Sequence, residues 1–264
     1  MQYYQSEGLD ILYKSGLRNV FLGIESFNED DLKLYNKGLT VNDNINAIEL
    51  LKKRGINIDI GFISINPYSS IERLRLNAFY LNKYKFASID HYTSSLMVFK
   101  GTQIYKKIEN DGLLFDSKDI FDVYNYNFVN NNIKLLKESL IEFSLQNPRI
   151  LDESEYYSHF YTNLLNYYYL LYEIYDNSFM MKNIKDHLKT IIDVLVLFSD
   201  LAYEWYMEIL EMHEHYKDRE TVEKTNKAYS FQMIELLNKL NIEKFRFSKQ
   251  MVKYNKSINF DLLT

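Results

Sequence analysis

No cysteine occurs among the 264 residues, which excludes disulfides and thiolate metal ligands at the outset. Proline is scarce, with only Pro67 and Pro148, so long stretches are free to run as unbroken helix. None of the eight glycines lies beyond Gly112, which confines tight turns and close backbone approaches to the first part of the chain. No apolar run reaches the roughly 18 residues of a membrane span; the greasiest, Ile191 to Phe198, contains Asp193. The opening residues, MQYYQSEG, lack the basic and apolar regions of a secretory signal, and a cytoplasmic location with no membrane partner is expected. Basic residues form no block, and 31 Lys and Arg against 36 Asp and Glu give a net charge of −5, which argues against a nucleic-acid partner.

What is present, 47% hydrophobic and 25% charged residues, describes a folded chain long enough for one large or two small domains. Residues 1–116 balance 14 basic against 14 acidic groups, so the negative excess lies wholly in the remainder. Together with the glycine distribution this predicts two regions, 1–115 and 116–264.

In the first region the periodicity alternates. A helix over Tyr3–Ser15 stops at Gly16, and Asn19–Glu25 reads as a short buried strand. Ser26 with Glu29 has capping-box spacing before a helix that ends near Gly38. Asp43–Arg54 is a second helix closed by Gly55, its last cations Lys52, Lys53 and Arg54 complementing the helix dipole. The β-branched stretch Ile56–Ile65 is a second strand, ended by Pro67. Ser69 with Glu72 opens a helix to about Tyr84, and Ser88–Phe99 is a third strand. Strands separated by helices imply βαβ units in a parallel sheet or barrel. The second region carries apolar residues three and four apart and reads as all-α, with helices over Asn130–Gln146, Glu153–Tyr175, Met180–Met212 with a break near Phe198–Asp200, Arg219–Asn241 and Ile242–Tyr254. The run YYYLLYEIY within it is either ring packing or an aromatic substrate wall.

Ligands of parallel α/β folds bind at the carboxyl ends of strands, where loops and helix N-termini converge. That rule selects Glu25 and Ser26 after the first strand, Ser64 and Asn66 after the second, and Leu96, Met97 and Val98 after the third. A carboxylate leaving a buried strand can accept two ribose hydroxyls. Ser26 is equally a helix cap; Glu25 stands one residue too early for that.

Taken together, LYKSGLRNVFLGIES (Leu12–Ser26), LKLYNKGLT (Leu32–Thr40), GFISINP (Gly61–Pro67), KGTQIY (Lys100–Tyr105) and NDGLL (Asn110–Leu114) resemble, in order and spacing, the later half of a radical S-adenosylmethionine (SAM) core. The phrases around Glu25 and Lys37 are most similar to cobalamin-binding members of that superfamily. The resemblance implies an α/β partial (β/α) barrel of about three parallel strands, followed by a helical region. It implies that Glu25 contacts the ribose or methionyl part of SAM and that Lys37 neutralises its carboxylate. It also implies that Ile63 packs on the adenine while the backbone of Leu96–Val98 flanks it. Gly61 stands where some members carry a ribose-binding aspartate. Family members hold a [4Fe–4S] cluster through three clustered cysteines, and that segment is absent here.

The expectation is therefore the C-terminal portion of a radical SAM enzyme, possessing part of the SAM pocket and a helical substrate or accessory domain. A complementing N-terminal half would carry the cluster, and cobalamin would serve the full enzyme if it is a methyltransferase. The rival expectation is a non-catalytic helical interaction module or a truncated remnant. Elsewhere, Glu208, Glu211 and His215 share a helix face beside His213 and Glu214, without the paired-histidine spacing of a zinc motif, and a solvated charged face is the simpler reading. His91 is either a core or a site histidine.

Overall fold

The structure is a computed structural model and describes residues 2–86, 88–118, 123–157 and 179–254, with side chains within 7–86, 88–115, 123–157 and 186–249. Helix α1 (Gln2–Lys14) closes at Gly16, whose φ of +108° is a conformation open to glycine alone at low cost. Strands β1 (Asn19–Glu25) and β2 (Asn57–Phe62) then pair in parallel, in register from Asn19↔Asn57 to Gly23↔Gly61, with a bulge between Gly23 and Glu25. Helices α2 (Glu29–Leu34) and α3 (Val41–Lys52) connect them. A full capping box, Thr40 with Asp43, starts α3.

Two caps differ from the sequence expectation. Asn28, not Ser26, caps α2, its side-chain oxygen accepting the Asp30 and Asp31 N–H groups. Ser70, not Ser69, caps α4 (Ile71–Lys83), while the Ser69 hydroxyl accepts the Asn66 N–H at 3.0 Å. In both cases several Ser and Asn residues compete for one helix end, and the chain entering from the strand decides which one reaches it.

A larger difference lies at 88–99, which is not one parallel strand. The Ser88 hydroxyl accepts the Asp90 N–H and nucleates a short helix, α5 (Ile89–Thr93). Alignment with the parallel pair survives only as an isolated bridge, Ile65↔Ser95. Val98–Phe99 (β3) instead joins a separate antiparallel sheet of order β3-β5-β4, built with β4 (Leu114–Lys118) and β5 (Val123–Tyr126). Helix α6 (Gln103–Asn110) lies between β3 and β4. The region after 115 is thus not purely helical, since β4 runs across that position.

Beyond β5 come α7 (Asn131–Gln146), α8 (148–157 among the described residues), α9 (Phe179–Glu214) and α10 (Arg219–Tyr254). Helix α9 passes Phe198–Asp200 without the expected break, and α10 continues through 241–242 as a single helix. Continuity is favoured because Phe198, Ala202, Trp205 and Ile209 keep one face of α9 buried throughout, against Leu237 and Leu240 of α10 among others. The tyrosine run at 167–175 and most of the helix expected over Glu153–Tyr175 fall outside the described residues.

One buried cluster runs from Ile24 and Phe27 at the end of β1, through Leu74 and Leu81 of α4, to Trp205, Tyr206 and Leu237 of the long helices. Trp205 stacks 4.3 Å from Phe143 and donates its indole N–H to Asn226 at 2.9 Å, so its one polar atom is satisfied. Arg75–Glu214, at 2.6 Å, and Lys85–Asp200 tie α4 and its following turn to α9. No described helix is long and apolar enough to cross a membrane. The architecture is helix-rich around a small parallel sheet.

Candidate ligand cleft

Alternation along the parallel pair puts Phe21 and Gly23 of β1 and Asp59, Gly61 and Ile63 of the β2 segment towards one face, which Glu25 joins through the bulge. Above that face opens a cleft of about 620 Å³, walled by Phe21, Glu25, Asp59, Ile63, His91, Leu96 and Met97. Its size falls in the range of small-molecule sites.

Glu25 is set in the cleft by its backbone. It has φ +63°, left-handed and unfavourable for a residue with a Cβ by roughly 1 kcal/mol, and sits at the bulge where β1 leaves the sheet. The turn sends its carboxylate back over Gly23, where a Cβ would lie only 2.9 Å from Oε1. Lys37 reaches the same place from the far end of α2. Asn36 takes φ +54°, its N–H bonds to the Lys33 carbonyl, and the Lys37 N–H bonds to the Leu32 carbonyl at 2.9 Å. That is a Schellman closure, and it fixes the backbone from which Lys37 extends. Lys37 Nζ and Glu25 Oε1 meet at 2.9 Å, half-exposed, with both charges available at the rim.

Of the residues chosen from the sequence, Glu25, Ile63, Leu96 and Met97 line the cleft, and Lys37 joins it through Glu25. Val98 is fully buried in β3. Ser26, Ser64 and Asn66 are buried with partners inside the protein. The Ser64 hydroxyl donates to the His91 carbonyl. The Asn66 amide donates to Asp31 Oδ1 at 3.1 Å and to the Tyr35 hydroxyl at 2.9 Å, and its oxygen accepts the Tyr68 N–H.

Ser26 belongs to a buried hydrogen-bond network. Its oxygen accepts the Asn28 N–H at 3.1 Å and lies 3.0 Å from Asp31 Oδ2 and 3.1 Å from Asn77 Oδ1. The Phe27 N–H, donating to Asn77 Oδ1 at 2.8 Å, fixes that amide with oxygen towards Ser26. One hydroxyl proton cannot serve two acceptors, so Ser26 donates to one of these two oxygens at a time. Burial of Asp31, 1% exposed, raises its carboxyl above the ordinary value, with hydrogen bonds from Asn66 and Ser26 and the Arg73 charge opposing. Burial and the nearby Asp31 likewise push the Tyr35 hydroxyl well up. The network clamps α2, α4 and the ends of both parallel strands beneath the cleft. His91 at the cleft wall is held neutral by burial, which lowers its pKa.

Sequence reasoning passed over Phe21 and Asp59. The signal was available, because each lies an even number of residues from Gly23 or Gly61 and therefore on the same strand face.

The donor chemistry can be matched to cofactors. With no cysteine in the chain, and no group of three His, Asp or Glu side chains converging among the described residues, the residues present do not fit a [4Fe–4S] cluster. Their chemistry is compatible with SAM: an ammonium and a carboxylate stand side by side over Gly23, and the walls at Ile63, Leu96 and Met97 are apolar.

No family model matches the chain. Over 70 residues, 26% of its length, it is 36% identical to 4'-phospho-dehydrooxetanocin synthase of Priestia megaterium, a match spanning 9% of that protein. Two solved structures of the cobalamin-dependent S-adenosylmethionine radical enzyme OxsB are also similar. One has aqua-cobalamin bound, at 17% identity and a TM-score of 0.42. The other has aqua-cobalamin and S-adenosylmethionine, at 18% and 0.43. Each match covers 82% of this chain and 41% of OxsB, so the chain spans less than half of these relatives. The likeness to cobalamin-binding radical SAM proteins that the motifs carry is shared by these relatives.

Proposed function

We propose that this chain supplies part of the SAM pocket of a cobalamin-type radical SAM enzyme of the cytoplasm, together with a helical substrate or accessory region, and is inactive without a cluster-binding N-terminal half. The observation that carries the proposal is the Glu25–Lys37 pair, 2.9 Å apart over Gly23 at the carboxyl end of a parallel strand. SAM joins an amino-acid zwitterion and a sulfonium to a vicinal diol, and its carboxylate, and its diol or ammonium, have counterparts here. Glu25 accepts from ribose hydroxyls or the α-ammonium, and Lys37 neutralises the α-carboxylate as a point charge. Ile63 and the Leu96–Met97 backbone hold the adenine. When bound beside a reduced cluster, SAM supplies an adenosyl radical, or a methyl group by way of cobalamin, and the protein's share is binding, orientation and exclusion of water.

In this reading β1, β2 and the segment bridged at Ile65↔Ser95 are an arc of the barrel, 1–115 is the core portion and 116–264 the accessory portion. The complementing half completes the arc along the free edge of β1. Neither Ser26, Ser64 nor Asn66 is needed as a ligand contact; they hold the arc's carboxyl end rigid.

The test is to combine the chain with a radical SAM N-terminal half bearing three clustered cysteines and to measure SAM binding by equilibrium dialysis. The complex is expected to bind SAM and the chain alone to take up no iron–sulfur cluster. A chain that alone formed a [4Fe–4S] centre and cleaved SAM would overturn the proposal. A complex that bound no SAM would leave the non-catalytic interaction module as the better account.

A further inference from the structure

We propose that Phe21 is a specificity-determining residue of the cleft, a planar platform for the base of an adenosyl ligand; this rests on the SAM reading above. Phe21 is 67% exposed on the sheet face opposite the one that buries Ile24 and Ile60, and Met97, which lines the same cleft, is 64% exposed. Both line the same cleft as Glu25. An exposed phenyl ring and an exposed thioether on one concave wall make a surface that a heteroaromatic ring would cover.

The ring has a fixed backing. A Cβ on Gly61 would lie 3.1 Å from Phe21 Cζ and 3.5 Å from Cε1, so the ring rests on bare glycine backbone and would have to give by a few tenths of an ångström over alanine. At this position the wall is a flat phenyl face over bare backbone, with Asp59 in register beside it. Two residues along, Glu25 and Lys37 occupy the space above the paired Gly23. The cleft floor is divided into an ionic half and an aromatic half, which suits a ligand whose charged end is tethered to a planar base. Recognition of the base is then by stacking on Phe21, with the polar end read by Glu25.

The experiment uses the full chain, titrated with SAM, adenosine and methionine and observed by saturation-transfer NMR and calorimetry, in wild type, Phe21→Ala and Phe21→Trp, with thermal melts as folding controls. Base–aromatic contacts of this kind are typically worth a factor of about five or more in affinity. Phe21→Ala is expected to weaken SAM and adenosine by at least that factor, to leave methionine unchanged and to melt like wild type, while Phe21→Trp retains adenosine. Wild type that binds SAM, with Phe21→Ala binding adenosine equally well, would overturn the platform and leave the SAM reading standing. An equal loss for methionine and adenosine would also overturn it, as a general loss of cleft structure. Absence of SAM and adenosine binding in wild type, alone and in the complemented complex, would overturn both.

Discussion

Gly23 and Gly61 face each other across the parallel pair β1–β2, and each carries a neighbour's side chain where its own would have been: Glu25 with Lys37 over the first, Phe21 over the second. Glycine interrupts strands at a cost of packing and entropy. Two in direct register, beneath the largest charged and aromatic groups of the cleft, mark a place where the backbone must be approached closely.

Adding one methyl group separates the ionic half of the cleft from the fold. In Gly23→Ala the new Cβ would stand 2.9 Å from Glu25 Oε1 and 3.2 Å from Lys37 Nζ, both ends of flexible side chains that can swing away. Stability is expected to stay within about 1 kcal/mol of wild type, since alanine also restricts the unfolded chain. SAM affinity of the complemented complex is expected to fall several-fold. Chemical denaturation and dialysis on the same preparation check both halves of the statement.

Glu25 and Glu29 are four residues apart and have separable roles. Glu29 accepts the Val41 N–H at 2.9 Å and so holds the start of α3, whereas Glu25 pairs with Lys37 in a partly exposed bridge. Removing such a bridge costs about 0–1 kcal/mol. Glu25→Gly also relieves the left-handed φ of +63°, offsetting that loss. Glu25→Ala should abolish most SAM binding with little change in stability, and Glu29→Ala should lower stability by about 1 kcal/mol with SAM binding intact. Equal effects on binding would remove Glu25 from the site.

A pH titration of stability tests the raised carboxyl of Asp31. Its folded carboxyl titrates above the ordinary 3.8 because it is buried, so between that value and the raised one the folded state holds more protons than the unfolded state. Stability contributed by this group is therefore lost as pH rises through that window. Asp31→Asn keeps an oxygen for Asn66 and presents an N–H to Ser26, so it fits the same network without titrating. The variant is expected to be at least as stable as wild type at neutral pH and to lack the declining slope; a slope unchanged from wild type would place the titrating proton elsewhere.

His213 gives the opposite sign. Its Nε2 is buried without a hydrogen-bond partner, and burial lowers its pKa below the ordinary 6.5. The unfolded state therefore binds a proton first, and stability falls as pH drops below 6.5 towards the folded value. His213→Leu removes both the unsatisfied nitrogen and the titration. Its melting temperature should match or exceed that of wild type at neutral pH, with the advantage widening in acid.

Much of the architecture was determined by the sequence alone. Local chemistry marks the closure of α1 at Gly16, the two strands, the long glycine-free helices and Glu25 at a strand's carboxyl end, because caps, turns and periodicity act over a few residues, whereas Lys37 is singled out by the family resemblance alone. Tertiary structure decided the rest. It turned 88–99 into a helix and an antiparallel strand, since the pairing partner β5 lies some 25 residues downstream in a stretch to which the sequence pattern assigns no element. It buried Ser26 and Asn66 with Asp31 and Asn77, groups up to 51 positions apart whose hydrogen bonds no local pattern reveals. It also set Phe21 over Gly61, because only the register of two strands says which side chain covers which glycine.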